Sequence, residues 1–407
     1  MKIAVWLARL VLGATFMLSG LTKMVDPLGS MTKIEAYLQA WGIADMFAPG
    51  VVLVGGCALS MAEFIVGFLL LTGSLRRSAA WLGGAIMAFM LPLSAYIALA
   101  NPVDDCGCFG DFLVISNTAT FLKNIVLTAL AFFLCRYNRR AGCLFAPWIQ
   151  WAQIAVAVAY MLVLGIIGYH EQPLLDFRPY PVGEPLTDSE GARTVYIYQR
   201  GNERRECTAD DLPDESQGWE FVDVLTLEPA SGKMLALIDR RSGEDVTDEA
   251  LAAAPCQILL LVPEPSEASA AGSFTANELK AEMERRYGSG SFLAVTAADS
   301  AAVARAMDLM MADYPVYYAD PKAIKTVARG AMAAVCLEND TVRWKRTLSS
   351  INLDLIGREG FDMPEAYATH GPSRFWLITL LALAAEIIVA LLGTLSALRR
   401  RLQKLKN

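Results

Sequence analysis

Residues 51–73 read VVLVGGCALSMAEFIVGFLLLTG, an apolar run broken by one ionisable side chain, Glu63. At about 1.5 Å of rise per residue, a helix of this length crosses a hydrocarbon core of about 30 Å. Lipid offers no hydrogen bonds to the backbone, so such a segment must satisfy its own peptide groups, and an α-helix does so. The pattern recurs along the chain. Spans are predicted at Ile3–Leu21, Val51–Gly73, Ala79–Ala100, Thr118–Leu134, Trp148–Tyr169 and Phe375–Leu395. The first is long and followed by further spans, so it is expected to stay in place as a helix and not to be cleaved as a signal peptide. Hydrophobic types make up 55% of the 407 residues and charged types 19%, less charge than soluble domains carry. Between Tyr169 and Phe375 the composition turns ordinary, over a length that can bury its own core. The expected fold is an α-helical polytopic bundle of about six transmembrane helices with a separate α/β domain. The expected divisions are a four-helix membrane domain over 1–140, a fifth span within 141–172, a globular domain over 173–372, and a sixth span with a basic tail over 373–407.

Lysine and arginine set the expected orientation. One set of span ends carries Lys2, Arg76, Arg77, Arg136, Arg139, Arg140, Arg399, Arg400, Arg401, Lys404 and Lys406; the short loops at the other ends carry Lys23 and Lys33. The basic set is expected in the cytoplasm, with both termini. Loops 24–50 and 101–117 and the domain over about 170–374 then lie on the periplasmic side of a bacterial inner membrane. The net charge of −7 averages over compartments that never meet. No basic patch interleaved with aromatics appears, so nucleic acid is not an expected partner; the Arg399–Arg401 run reads as a topology anchor.

The globular segment opens with an extended, proline-rich stretch, Pro173 to Pro185, and then a strand at Thr194–Gln199. The run Gln257–Val262, bounded by Pro255 and Pro263, has the pattern of a buried strand. A helix at Ala276–Tyr287, a strand at Phe292–Thr296 and a helix at Ala301–Met311 follow. Strands at Tyr314–Tyr318, Ala333–Leu337 and Thr341–Lys345 complete the series, the last two joined by an Asn339–Asp340 turn. This order predicts an α/β sandwich around a mixed sheet.

Eight cysteines are present. Cys106 and Cys108 stand together in Asp104-Asp105-Cys106-Gly107-Cys108-Phe109-Gly110-Asp111, at the end of the third span. A Cys-Gly-Cys disulfide closes a small strained ring, and strain raises its reduction potential. Such a pair suits redox exchange as a thiol–disulfide oxidoreductase, taking electrons from a partner dithiol and passing them to a quinone in the bilayer. Two other chemistries fit the same residues: structural disulfides to other cysteines, and a soft metal such as Cu(I) held with the aspartates. The acidic neighbours argue against strong thiolate activation. Whether Cys207 pairs with Cys256 stays open. A metal site from His170 and His370, which bracket the globular domain, is the weaker metal candidate.

Ionisable side chains within spans are costly and therefore informative. A Glu63–Lys123 pair is expected inside the bundle, bracing helices or shaping a pocket for a quinone head group. Lys23 is expected to snorkel to the interface. Glu386 falls in the middle of the sixth span. Gly13, Gly20, Gly67, Gly83 and Gly84 read as close-packing positions between helices.

These residues resemble a known family. Arg9 with Gly13-Ala14-Thr15-Phe16-Met17-Leu18-Ser19-Gly20-Leu21-Thr22-Lys23, then Asp26-Pro27, Glu63-Phe64-Ile65-Val66-Gly67, Asp105 to Asp111 and Phe121-Leu122-Lys123-Asn124 are similar to the DoxX-like membrane proteins, specifically the MauE branch linked to methylamine utilisation, over residues 1–140. The resemblance implies a four-helix bundle similar in outline to disulfide-forming membrane proteins of the DsbB and vitamin K epoxide reductase type. It further implies a role in maturing a disulfide-rich periplasmic partner. Residues 250–350 resemble a thioredoxin fold, but the stretch Pro263 to Ser269, where a redox motif belongs, holds no cysteine. The resemblance therefore implies a docking module there. A non-catalytic membrane scaffold is the rival reading of the whole chain. A transporter is a third, disfavoured by the lack of inverted repeats.

Overall fold

The computed structural model describes all residues except 104, 144, 188–192, 201–202, 208–218, 228–234, 359, 368–369 and 407. The chain divides into two compact units, Met1–Phe177 with Thr369–Asn407, and Arg178–Ala368.

In the first unit the helices are α1 (Lys2–Val25), α2 (Pro27–Ala40), α3 (Pro49–Thr72), α4 (Arg76–Ala100), α5 (Asn117–Tyr137), α6 (Pro147–His170) and α12 (His370–Lys406). Six stretches, all but α2, are long and apolar enough to cross a membrane. The chain is a multi-pass membrane protein whose helices imply a lipid bilayer around them. Each predicted span is matched by a helix that begins one to five residues earlier; the second stops one residue short, at Thr72, and the third ends as expected at Ala100. The sixth continues without a break through Arg399–Arg401 to Lys406.

The first and third helices make the tightest pair. A Cβ at Gly20 would fall 2.4 Å from the Ser60 carbonyl oxygen and 2.6 Å from the Phe64 nitrogen, and one at Gly67 would fall 2.6 Å from the Gly13 oxygen. Small residues thus let the two backbones touch, as membrane helices do when they have no hydrophobic drive to associate. Gly83 is different, since a Cβ there would meet only ordinary contacts at 3.5 Å and beyond.

One helix was not expected. Pro27–Ala40 lies in what the sequence presents as a loop. Asp26 caps it, its carboxylate accepting from the Gly29 amide at 2.8 Å, and Pro27 supplies the first helical position. The loop between α4 and α5 is closed by Asn117, whose Nδ2 donates to Asn101 Oδ1 at 2.7 Å and to the Val103 carbonyl at 2.9 Å.

The second unit holds two sheets and five helices among its described residues: α7 (Thr247–Leu251), α8 (Ala270–Tyr287), α9 (Ser300–Met310), α10 (Pro321–Val327) and α11 (Leu353–Ile356). The smaller, in order β2-β1-β3, is antiparallel and joins β1 (Arg193–Arg200), β2 (Glu203–Cys207) and β3 (Glu220–Leu227). Only its first strand was expected. The larger sheet has the order β6-β5-β4-β7-β8, from β4 (Cys256–Leu261), β5 (Phe292–Thr296), β6 (Val316–Tyr318), β7 (Ala333–Glu338) and β8 (Thr341–Thr347). The pairs β4–β5 and β5–β6 are parallel, while β4–β7 and β7–β8 are antiparallel. This is the mixed α/β sheet the strand–helix order predicts. Both faces are covered. Ile258, Leu260 and Ala334 pack with Ala276, Leu279 and Met283 of α8 (Ala270–Tyr287) on one face. Leu259, Leu261 and Val335 pack with Ile324 and Val327 of α10 (Pro321–Val327) on the other. The Asn339–Asp340 turn takes positive φ at both positions (47° and 64°), which Asn and Asp tolerate best among side-chain-bearing residues.

Candidate functional site

The Cys106–Cys108 loop is built between α4 and α5, with Gly107 and Gly110 at φ +60° and +57°. Those left-handed positions give the tight turn its shape at no steric cost. Four helices of the membrane unit hold it. From α1, the Ser19 hydroxyl lies 2.6 Å from the Cys108 carbonyl. From α2, the Tyr37 hydroxyl donates to the Cys106 carbonyl at 2.9 Å, and Lys33 pairs with Asp105. From α3, Glu63 lies 2.7 Å from the Ser19 hydroxyl. From α5, the Thr120 hydroxyl reaches the Cys106 sulfur at 3.3 Å.

Both cysteines are free thiols here, as are all seven cysteines whose side chains are described. They are not equivalent. Cys106 Sγ accepts from the Cys108 thiol and from the Cys108 amide at 3.3 Å. Those bonds, with the Thr120 hydroxyl and the Lys123 charge, overcome burial and lower the Cys106 pKa to about 6. Cys108 moves the opposite way, held well above the ordinary thiol value by the partner sulfur and by burial. The two shifts favour the thiolate at Cys106 and the protonated thiol at Cys108. Of the acids expected to oppose activation, Asp105 is engaged elsewhere, pairing with Lys33 and accepting from the Gly107 amide through Oδ1 at 2.7 Å. Asp104 lies outside the described residues.

The expected Glu63–Lys123 pair does not form. Glu63 pairs instead with Lys23, whose Nζ donates to both carboxylate oxygens at 2.9 Å, with both side chains largely buried. The tight α1–α3 packing sets this choice, since it brings Lys23 to Glu63. The same pairing overturns the expectation that Lys23 snorkels to the interface. Lys123 sits 4.5 Å from the ring centre of buried Phe109, in the loop beside the cysteines. Its cation thus serves the thiolate and the ring.

Sequence reasoning missed Ser19, Lys33, Tyr37 and Thr120. The signal for Lys33 was present, since it is one of two lysines in the loop set that also holds Asp105. The other three are ordinary hydroxyls that only the fold brings together. No group of three or more metal-ligating His, Cys, Asp or Glu occurs among the described residues, and the His370 side chain lies outside them. In the second unit Cys256 and Cys336 are buried diagonal neighbours on β4 and β7, where Cys336 stands opposite Ile258. The Cys207 side chain, and with it any pairing to Cys256, lies outside the described residues.

Comparison with known proteins bears on the membrane unit alone. No curated protein and no solved structure matches the chain. Residues 1–137 match the family model of the methylamine utilisation protein MauE, so the stretch that builds the cysteine site is similar to that family of membrane proteins.

Proposed function

We propose that this protein is a membrane-embedded thiol–disulfide exchange protein acting through Cys106 and Cys108. The observation that carries the reading is the geometry of the pair: two partly exposed free thiols one residue apart on a glycine-shaped loop, with the Cys106 sulfur 3.3 Å from both the Cys108 amide and the Thr120 hydroxyl. The Cys106 thiolate attacks one sulfur of a partner disulfide, forming a mixed disulfide and releasing a partner thiolate. The Cys108 thiol gives its proton to that departing thiolate and attacks Cys106, and the second partner sulfur leaves. The partner gains two electrons and the loop becomes a disulfide. Run in reverse, the loop disulfide oxidises a partner dithiol, and an oxidant must then reclaim two electrons and two protons. A membrane quinone is the oxidant class that fits the bilayer setting, taking them to become a hydroquinone. Glu63, through Lys23 and Ser19, braces the loop in this scheme, and Lys123 holds the thiolate.

In this reading the loop and the segment 178–368 lie on the periplasmic side of a bacterial inner membrane, an orientation that the basic ends of the spans support. The family description names methylamine utilisation, and the disulfide-rich periplasmic partner that the sequence resemblance implies is the partner class that suits the exchange chemistry. The larger sheet supports a thioredoxin-like reading of the second unit. Its first strand leads into Pro263–Ser269 without a cysteine, so we read that unit as a docking module. The rival, a scaffold with no redox chemistry, makes a different prediction. With Cys108→Ser, mixed disulfides to Cys106 should accumulate on non-reducing gels; with Cys106→Ser they should not. If Cys108→Ser traps no partner and the double variant behaves as the parent, the exchange reading is wrong.

A further inference from the structure

At the opposite end of the same bundle a cavity of about 500 Å³ is lined by Leu75, Arg76, Arg77, Ser78 and Arg139. Its charge is unbalanced. The membrane unit has no Asp or Glu before residue 26, between 64 and 103, between 112 and 170, or after 386. No salt bridge involves Arg76, Arg77 or Arg139 among the described residues. Arg76 and Arg77 also open α4, so both cations sit at the positive end of a helix dipole, where cations are unfavourable.

Behind this cluster lies another cation. Arg9 is fully buried, and its guanidinium meets neutral groups: Asn138 Oδ1 at 2.6 Å, the Asn138 carbonyl at 2.8 Å, the Gly142 carbonyl at 2.8 Å and the Trp6 ring, 4.7 Å from its centre. Asn138 in turn donates to the Arg76 carbonyl at 2.6 Å, which ties the buried charge to the cavity wall. Arg76 spends part of its fork on the Ala141 carbonyl at 2.9 Å, whereas Arg77 and Arg139 stay exposed. A buried cation and three guanidiniums without a carboxylate leave a site that an external anion completes.

We infer that this cavity binds the phosphate headgroup of an anionic phospholipid. The site lies where the α4 and α5 spans end, at headgroup depth. One turn further along α4, Trp81 and Leu82 are exposed at 61% and 51%. Trp81 is four residues from Arg77, on the same helix face, so an acyl chain leaving the headgroup meets an apolar surface. A free phosphate ion gains nothing from that surface.

The test is native mass spectrometry of the full chain in detergent, titrated with phosphatidylglycerol, phosphatidylcholine or inorganic phosphate. The parent protein should bind a first phosphatidylglycerol in preference to phosphatidylcholine. R77Q/R139Q should weaken that first binding by about 25-fold, at about fivefold for each basic residue at a membrane surface. K404Q/K406Q removes equal charge from the tail and should leave it unchanged. R77K/R139K keeps the charge and should keep most of the affinity. Alkylation of Cys106, at the far end of the bundle, reports whether each variant is folded, and the single variant R77Q serves if the double does not fold. Equal losses in the two glutamine pairs, or phosphate binding as tight as the lipid, would overturn the inference.

Discussion

Two cysteine pairs sit in this protein, and their difference defines what makes a site. Cys106 with Cys108 and Cys256 with Cys336 are both close pairs in which one sulfur accepts from the other. In each, one pKa falls and the partner's rises. The similarity ends there. The sheet pair is 3% and 0% exposed, cross-braced on β4 and β7, with the Glu338 charge opposing thiolate formation. The loop pair is partly exposed, turns on two left-handed glycines and has Lys123 beside it. Hydrogen bonding between thiols is thus common to both. Access belongs to one, and there the cation acts on the thiol whose pKa falls, whereas in the sheet Arg343 bears on Cys336, the thiol held high.

The contrast can be broken most directly at the nucleophile. Cys106→Ser should take disulfide exchange to background while Cys256→Ser leaves it intact, measured as mixed-disulfide capture; loss in both variants would erase the distinction. Next in size is the brace. Glu63→Gln strands the largely buried Lys23 cation and should cost about 3–5 kcal/mol in thermal unfolding, with much of that loss recovered in Glu63→Gln/Lys23→Met. The charge beside the thiolate comes third. Cys106 alkylation should rise with pH through about 6, where its thiolate forms. Because a cation favours the charged form, Lys123→Met should move that rise to higher pH; a shift of one unit slows labelling about tenfold below the midpoint. An unmoved profile would assign the lowered pKa to hydrogen bonds alone. The smallest effect belongs to the sheet. Cys336→Val should change stability by less than about 1.5 kcal/mol, and Cys336 should resist thiol reagents until the chain is denatured.

The spans were legible because 20 consecutive apolar residues have few other uses, and Phe292–Thr296 was legible as a strand for its unbroken burial. The α2 helix was not, since Pro27–Ala40 mixes glycine, serine and threonine with apolar residues and owes its start to the Asp26 cap. The β2 strand reads Glu-Arg-Arg-Glu-Cys, an edge strand with no apolar alternation to betray it. At the site, the two cysteines announced themselves by spacing. Their partners did not, because a sequence holding Lys23 and Lys123 does not say which helix packs on α3. The glycines that decide it, Gly13, Gly20 and Gly67, were visible as small residues without showing whose backbone they admit.

The long reach of the loop's partners has a consequence for biogenesis. Ser19, Lys33 and Tyr37 are synthesised well before Cys106, while Thr120 and Lys123 follow it. Until the fourth span is inserted, the sulfur lacks both its hydroxyl donor and its cation. Before then, of the groups that lower its pKa, only the adjacent Cys108 thiol and amide are within the synthesised chain. Under the proposed exchange function, the order of synthesis therefore withholds part of the support for the Cys106 thiolate until α5 is in place.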